Sequence, residues 1–264
     1  MDKISKSQIK LVRSLQQKKF RDETGCFVAE GAKCVDELCK GFELVYRIQT
    51  DGYEEHPSSL LATPTEIEQM SSLRTPQGVI GVFRKPSNPQ PVEAGMTQEA
   101  LFADTLVLAL DGIQDPGNLG TIIRTCDWFG VHDIVCSLDT ADCFNPKVVQ
   151  ATMGALARVR VHYVDLPKWL KETSSFPSLK GKVNIYGTLL DGDNMYKTSL
   201  PFREGSRNGL SVIIMGNEGN GISPEVRPLI TNPIRIPSYP ENAETSESLN
   251  VSIATAIVLA EFRR

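Results

Sequence analysis

The stretch TLVLALDGIQDPGNLGTIIRTCDWFG, residues 105–130, joins a short apolar run to a loop with glycine and proline and then to an amphipathic helix. The alternation continues to the C-terminus, with four further apolar runs, DIVCS, VNIYGT, LSVIIMG and NPIRIP, and helical patterns at 119–129, 146–156, 224–230 and 249–263. Apolar strands that alternate with helices predict a parallel α/β sheet covered on both faces. Ligands of such sheets bind beyond the carboxyl ends of the strands. Four loops rich in glycine, proline or asparagine follow strands here, at 111–120, 187–194, 216–223 and 237–248.

A smaller α/β unit is predicted before this sheet. Its pattern contains a helix at 4–20, a second helix at 32–39, the strand ELVYRI from Glu43, a helix start at TPTEIEQM and the strand GVIGVF, which ends at Phe83. The following RKPSNPQPVEAG has three prolines and no apolar period, which is typical of a linker. We therefore predict domains at residues 1–84 and 105–264, joined by a linker at 85–104.

Composition and charge exclude several classes of protein. The 264 residues hold six cysteines without a CxxC pair and three widely separated histidines, so no zinc-site spacing is present. No apolar run approaches the about 18 residues that a membrane-spanning helix needs. We expect a reduced, cytoplasmic protein without a metal. The net charge of −4 is unevenly distributed, because the first 21 residues carry one acidic side chain and seven basic ones: Lys3, Lys6, Lys10, Arg13, Lys18, Lys19 and Arg21.

Arg124 is the unusual residue of the helix at 119–129. The apolar side chains of this helix share one face: Leu119, Ile122, Ile123, Cys126 and Phe129. Because successive helical side chains are about 100° apart, Arg124 lies about 140° from that face, and Trp128 lies one turn beyond it. Two interpretations remain open. Arg124 is either a solvated arginine, or part of a face that a partner subunit or a substrate covers.

Two later stretches also place polar groups at strand ends. The loop MGNEGNGIS, residues 215–223, has three glycines that let a ligand approach the backbone closely, but it matches neither a phosphate loop nor a dinucleotide fingerprint. Glu218 lies within it, and Ser223 with Pro224 predicts the start of the next helix. The C-terminal helix carries no charge from 249 to 260, which predicts burial in a core or a dimer interface. Its polar exceptions, Ser248 and Asn250, lie at its start.

Together these motifs resemble the SpoU (TrmH) family of RNA ribose 2′-O-methyltransferases. Asn118-x-Gly120-x-x-x-Arg124, then MGNEGNGIS, then IP followed by ESLNVSIATAIVLAE occur in the order and spacing of the three family motifs. FVAEGAKCVDE and TPQGVIGVF are similar to the substrate-binding domain that precedes the catalytic domain in many members. The resemblance implies a trefoil knot in the C-terminal domain, a rarity among folds, and a homodimer with S-adenosylmethionine held in the knotted loops.

The resemblance also implies roles for single residues. Positions that match the catalytic or substrate-contacting residues of the family are Arg124, Asn118, Glu218, Ser248 and Asn250. Positions that match the cofactor-binding residues are Gly216, Ile236 and Leu249, with Thr188 as a further candidate.

The function that the resemblance implies is S-adenosylmethionine-dependent methylation of RNA. We expect 23S ribosomal RNA as the substrate, because the two-domain organisation is similar to that of members that act there. The basic segment from Lys3 to Arg21 is expected to contact RNA phosphates. The alternatives are a transfer RNA 2′-O-methyltransferase, a non-catalytic RNA-binding or ribosome-assembly protein on the same fold, and a methyltransferase that acts on a base or a small molecule.

Overall fold

The computed structural model describes residues 2–54, 56–86, 106–175, 183–198, 200, 210–240, 246 and 248–264. In chain order the described elements are β1 (Asp2–Lys3), α1 (Lys6–Ser14), α2 (Lys18–Thr24), β2 (Cys26–Glu30), α3 (Ala32–Leu38), β3 (Leu44–Gln49), β4 (Ser59–Leu61), α4 (Pro64–Met70), β5 (Val79–Arg84), β6 (Leu106–Asp111), α5 (Pro116–Trp128), β7 (Asp133–Ser137), α6 (Pro146–Thr152), β8 (Arg160–Val164), α7 (Leu166–Ser174), β9 (Asn184–Asn194), β10 (Ser211–Gly216), β11 (Asn232–Arg235) and α8 (Val251–Phe262). The predicted linker, residues 85–104, lies outside the described residues from position 87 onward.

The chain forms two compact units. The first comprises Met1–Pro89 with Asp142–Arg158, and the second comprises Gln90–Ala141 with Val159–Arg264. The segment Asp142–Arg158 therefore packs with the N-terminal residues, although it lies between two strands of the second unit in the chain. The predicted domains, 1–84 and 105–264, place this segment, which we call the exchanged segment, in the second domain instead.

The first unit is built on a five-stranded mixed sheet in the order β1-β4-β3-β5-β2. β1, β4 and β3 run parallel to one another, whereas β5 is antiparallel to both β3 and β2. The exchanged segment packs here through Phe144, whose ring lies 4.8 Å from that of Phe27, and through the ion pair between Arg158 and Glu37 at 2.8 Å. The predicted α/β unit is confirmed.

The prediction of one helix over residues 4–20 is wrong, because the helix is interrupted between α1 and α2. Ser5 caps α1 with a reciprocal capping box to Gln8, and the helix ends at Ser14. The carbonyls of Leu15 and Gln16 at the break accept hydrogen bonds from the Nη1 atom of Arg21, both at 2.9 Å. A buried guanidinium thus satisfies backbone acceptors that a continuous helix would have used internally.

The second unit carries the predicted parallel sheet, which is confirmed. Six strands, all parallel, follow the order β11-β9-β10-β6-β7-β8. Every residue of β6 is buried, as expected for a central strand covered on both faces. The periodicity missed β8 and α7, whereas the loop predicted at 187–194 belongs to β9, whose pairing with β11 is irregular there.

Two further predictions concern helices of the second unit. The helix predicted at 224–230 is wrong, because only a short 3₁₀ turn forms there, at Arg227–Leu229. The C-terminal helix forms as α8 and packs against α5 and β10. It is not buried all round, since Ile253 remains 55% exposed in the single chain. The passage of this C-terminal segment through a loop, which would make the knot, stays a prediction.

Candidate active site

The helix that carries the first motif, α5, follows β6 after the short loop at 112–115. Asp115 caps it by accepting a hydrogen bond from the backbone N–H of Asn118 at 2.8 Å, and Pro116 occupies its first turn. Asn118 therefore lies at the N-terminal end of α5, beside the carboxyl edge of the parallel sheet. Arg124 follows on the same helix, six residues later.

Side chains of all three motifs meet at this edge. The Nδ2 atom of Asn118 donates to Oε1 of Glu218 at 2.7 Å, across 100 residues of sequence. The Nδ2 atom of Asn250 donates to Oδ1 of Asn118 at 2.9 Å, across 132 residues. We call Asn118, Glu218 and Asn250 the three-motif cluster. Because hydrogen bonds link Asn250 to Asn118 and Asn118 to Glu218, the position of each side chain depends on the other two.

Asn250 also starts α8. Its Oδ1 atom accepts hydrogen bonds from the backbone N–H groups of Ser252 at 3.0 Å and Ile253 at 3.4 Å. One side chain therefore caps the helix through its oxygen and bonds the cluster through its nitrogen. Ser248, two residues earlier, is exposed, and no hydrogen bond joins it to the cluster among the residues that the structure describes.

The loop that carries Glu218 folds back on the end of β10. Asn217 and Gly221 exchange two backbone hydrogen bonds of 2.9 Å, and Oδ1 of Asn217 accepts from the N–H of Gly219 at 2.9 Å. A Cβ atom at Gly216 would lie only 2.6 Å from the carbonyl oxygen of Gly221. Only glycine at position 216 allows the loop to close this tightly, which leaves Glu218 exposed at its tip. The sequence reasoning missed Asn217; its position directly after the strand was the available signal.

Arg124 is exposed and has no hydrogen-bond or ion-pair partner within the described part of the chain. The helical periodicity predicted its orientation correctly, away from the buried face that includes Leu119 and Ile123. Trp128, one turn further, is 85% exposed in the single chain. Cys126 on the same helix is fully buried, and burial raises the pKa of its thiol, so it is not a reactive nucleophile. The exposed guanidinium of Arg124 is therefore the group of this helix that is available to a substrate.

The comparisons with known proteins decide the family. The model of the SpoU rRNA Methylase family matches residues 105–260, and the model of the MRM3-like substrate binding domain matches residues 6–81. The chain belongs to the SpoU family. The resemblance drawn from the three motifs is therefore confirmed.

Relatives of this SpoU protein match it over nearly its full length. It is 30% identical to the 23S rRNA (guanosine(2553)-2′-O)-methyltransferase RlmP of Bacillus subtilis, over 97% of this chain and 96% of the relative. A solved TrmH-family structure from Porphyromonas gingivalis is 35% identical, with a TM-score of 0.79 and coverage of 98% of both chains. The AdoMet-bound rRNA methyltransferase of Sinorhizobium meliloti is 29% identical, with a TM-score of 0.77, over 100% of this chain and 96% of that one.

Three of the four predicted cofactor positions lie in a strand of the same sheet or directly after one. Gly216 ends β10, Ile236 directly follows β11, and Thr188 lies in β9, where its hydroxyl donates to the carbonyl of Ile214 at 3.1 Å. Leu249 directly precedes the cap of α8 and is 48% exposed. The tight glycine turn and the exposed apolar side chain of Leu249 fit the adenosine part of S-adenosylmethionine, the cofactor of SpoU methyltransferases. The individual contacts stay predictions.

The basic segment of the first unit is mostly exposed. On α1, Lys6, Lys10 and Arg13 are spaced i, i+4 and i+7 and share one exposed face. Three further basic residues are also exposed: Lys3, Lys18 and Lys19.

Arg21 is the exception, and its predicted contact with RNA is wrong. Its side chain is only 2% exposed, and its Nη2 atom pairs with Asp142 at 2.7 Å. Its Nη1 atom donates to the backbone carbonyls of Leu15 and Gln16 between α1 and α2. The guanidinium therefore stabilises the fold and is not available to RNA.

Two kinds of feature are absent from the described residues. No group of three or more histidine, cysteine, aspartate or glutamate side chains there could hold a metal ion. No helix in that part of the chain is long and apolar enough to cross a membrane. The absence of a metal stays a prediction.

Proposed function

We propose that this SpoU protein transfers the methyl group of S-adenosylmethionine to the ribose 2′-hydroxyl of a nucleotide in 23S ribosomal RNA. The observation that carries the proposal is the three-motif cluster, which joins Asn118, Glu218 and Asn250 beside an exposed, unpartnered Arg124 at the carboxyl edge of a parallel sheet. The full-length similarity to a 23S rRNA 2′-O-methyltransferase supports this choice of reaction and of substrate class.

The reaction sets two requirements for the chain. First, the 2′-oxygen must be positioned for attack on the methyl group. Second, the negative charge that develops on this oxygen must be stabilised. S-adenosylmethionine supplies an electrophilic methyl group on a positively charged sulfur, which keeps the electron pair of the broken C–S bond. The 2′-oxygen of the RNA must lie in line with that bond, and much of the rate enhancement comes from this positioning. The hydroxyl proton leaves to water, which places negative charge on the 2′-oxygen, and this charge is neutralised as the new O–C bond forms and the C–S bond breaks.

Arg124 meets the second requirement. A guanidinium keeps its positive charge at physiological pH, so we assign Arg124 an electrostatic role. Its guanidinium binds the phosphate next to the target ribose and stabilises the negative charge that develops on the 2′-oxygen. Exposure and the lack of a partner among the described residues leave it free to do so.

The cluster meets the first requirement. Asn118 lies at the start of the helix that carries Arg124, and its side chain is held from both sides by Glu218 and Asn250. These bonds fix α5 relative to the loop at 216–223 and to the start of α8. We assign Asn118 to positioning the substrate, and Glu218 and Asn250 to ordering the two loops. Ser248 is assigned a contact with the substrate.

The Arg124→Ala variant tests this division of roles. We expect methyl transfer to 23S rRNA to be abolished, while the affinity for S-adenosylmethionine measured by calorimetry stays within about twofold of wild type. Lys147→Ala, which removes an exposed cation from the other unit, is the control and should leave both quantities unchanged. Full activity of Arg124→Ala would contradict the assignment, and wild-type protein that binds no S-adenosylmethionine would favour a non-catalytic RNA-binding protein.

The exposed basic face of α1 supports RNA binding by the first unit. Each phosphate contact of a single-stranded RNA contributes about 0.7 to the slope of log affinity against log salt concentration. Replacing Lys6, Lys10 and Arg13 by alanine should reduce that slope by about 2, with no change in the calorimetric affinity for S-adenosylmethionine. An unchanged slope would exclude α1 from the RNA interface. Point substitutions are preferable to deletion of residues 1–84, because deletion would uncover Phe144 and the rest of the exchanged segment.

We also assign the exposed apolar residues of the second unit to a homodimer interface. Trp128 lies on α5, and Ile253 lies in the first turn of α8, which packs against α5. Large exposed apolar side chains on adjoining helices indicate a surface that is covered in the functional state. Trp128→Glu should shift the protein from dimer to monomer in sedimentation velocity, whereas Lys168→Glu on α7 should not. A wild-type monomer at micromolar concentration would contradict the assignment.

The site of action follows from the substrate. We place the protein in the cytoplasm, because bacterial 23S rRNA, the substrate named for its Bacillus subtilis relative, is found there. Cys26, Cys34, Cys39 and Cys126 are free thiols, which agrees with a reducing compartment.

A further inference from the structure

Gly112 joins three strand ends of the second unit. It directly follows β6, and its N–H donates to Oγ of Ser137 at the end of β7 at 2.8 Å. Its carbonyl accepts from Nδ2 of Asn217, directly after β10, at 2.7 Å. Its φ of +71° lies in the left-handed region, and a Cβ atom would lie 3.2 Å from the carboxylate of Asp139. The backbone at Gly112 is thus fixed on both sides.

Asp111, the last residue of β6, makes a second connection to the loop after β10. Its side chain is only 7% exposed, and its Oδ2 atom accepts a hydrogen bond from the backbone N–H of Ser223 at 2.7 Å. A buried carboxylate that accepts an N–H bond is a strong and directional contact. The assigned catalytic and cofactor positions do not include Asp111.

The two connections run in opposite directions across the same gap. Asp111 uses its side chain to hold the backbone at the far end of the loop, at Ser223. Asn217 uses its side chain to hold the backbone after β6, at Gly112. The loop at 217–223 is therefore attached to the end of β6 at both of its ends.

These attachments fix the two halves of the site relative to each other. Residues 112–115 lead from β6 to the cap of α5, which carries Asn118 and Arg124. The attached loop carries Glu218 and directly follows Gly216. The separation between Asn118 and Glu218, which form a 2.7 Å hydrogen bond, is thus set by these two half-buried hydrogen bonds.

We propose that Asp111 and Asn217 are positioning residues that hold the loop at 217–223 in its binding shape before S-adenosylmethionine arrives. The proposal rests on the proposed function and extends it to residues that touch neither reacting atom. A loop already ordered in the free protein loses little conformational entropy on binding, so affinity is gained through preorganisation. Removing either attachment should therefore weaken cofactor binding as well as slow the reaction.

The test compares Asp111→Ala, Asp111→Asn and Asn217→Ala in the full chain. Asp165→Ala and Asp165→Asn are the controls, because Asp165 also accepts a backbone N–H bond, from Lys168 at 3.1 Å, and caps α7, but makes no hydrogen bond to the loop at 217–223 within the described part of the chain. Three readouts are needed: calorimetric affinity for S-adenosylmethionine, amide hydrogen exchange at Ser223 without ligand, and kcat and KM for methyl transfer to RNA.

We expect Asp111→Ala to raise the Kd for S-adenosylmethionine by about tenfold to a hundredfold, the factor that corresponds to one hydrogen bond to a charged acceptor. Ser223 should exchange faster, and Asn217→Ala should have a smaller effect in the same direction. Asp111→Asn keeps an acceptor oxygen and should restore most of the affinity. The Asp165 variants should lose thermal stability but keep Kd within about twofold, since Asp165 caps α7 and makes no hydrogen bond to the loop at 217–223 among the described residues.

The outcomes separate this proposal from the proposed function. Unchanged Kd and unchanged exchange at Ser223 in the Asp111 and Asn217 variants would overturn the positioning role. If Asp111→Ala fails to fold, Asp111→Asn and Asn217→Ala decide the question by the same readouts. If the wild-type protein binds no S-adenosylmethionine, the cofactor assignment fails, and the exchange at Ser223 still shows whether the two attachments order the loop.

Discussion

Replacing Asn118 by alanine removes both side-chain bonds that connect the three motifs. The bond to the Glu218 carboxylate is 2.7 Å long and the bond from Asn250 is 2.9 Å long. A hydrogen bond to a charged group contributes about 1.5–3 kcal/mol and a neutral one about 0.5–1.5 kcal/mol. Because water can replace both partners at this exposed site, we take the lower ends, about 2 kcal/mol in all, which corresponds to about 30-fold in kcat/KM.

The assay is the initial rate of methyl transfer from labelled S-adenosylmethionine to 23S rRNA, measured for Asn118→Ala, Asn250→Ala and the double variant. Since the two residues share one bond, the double variant should lose less than the sum of the single effects, by about 0.5–1.5 kcal/mol. Asn145→Ala is the control: Asn145 caps α6 by accepting from the N–H of Lys147 at 2.9 Å, so its loss should cost stability only. A rate for Asn118→Ala within twofold of wild type, or strictly additive effects, would refute the reasoning.

Three further predictions concern single residues. Arg21→Met should lower the free energy of unfolding by about 3 kcal/mol in urea denaturation, because it leaves buried acceptors without a donor; a loss below about 1 kcal/mol would contradict this account. Gly216→Ala should weaken S-adenosylmethionine binding in calorimetry, since the added Cβ meets the backbone of Gly221 and forces the loop to shift; an unchanged affinity would count against the cofactor assignment. Burial alone would raise the pKa of Asp133, but hydrogen bonds from His162 and Arg160 outweigh it and hold that pKa below its ordinary value. The Asp133 contribution to stability is therefore fully present above about pH 4 and lost as the pH falls through the lowered pKa; Asp133→Asn should be less stable at pH 7 and should lack this acid-dependent loss in thermal denaturation.

Local patterns could predict much of the second unit. A continuous apolar run such as β6 and a helix with one apolar face such as α5 carry their own signals, and parallel strands bring their carboxyl ends to one edge. The orientation of Arg124 followed from helical geometry alone. Its assignment to a site did not, because a solvated arginine has the same periodicity; the order of the three motifs, through family resemblance, supplied that step.

Other features depend on contacts between residues far apart in sequence. The bonds between Asn118, Glu218 and Asn250 span 100 and 132 residues, which no local pattern encodes. The burial of Arg21 follows from the break between α1 and α2 and from Asp142, 121 residues away. In the sequence, Arg21 is indistinguishable from Lys18 or the other basic residues near it.

The most direct test of the account is to identify the nucleoside that this protein methylates. Unmodified 23S rRNA and transfer RNA are incubated separately with S-adenosylmethionine and either wild-type protein or Arg124→Ala, digested to nucleosides, and analysed by mass spectrometry. We expect one 2′-O-methylated nucleoside in 23S rRNA with the wild-type protein and none with the variant. A methyl group on a base, methylation of transfer RNA alone, or equal methylation by the variant would contradict it.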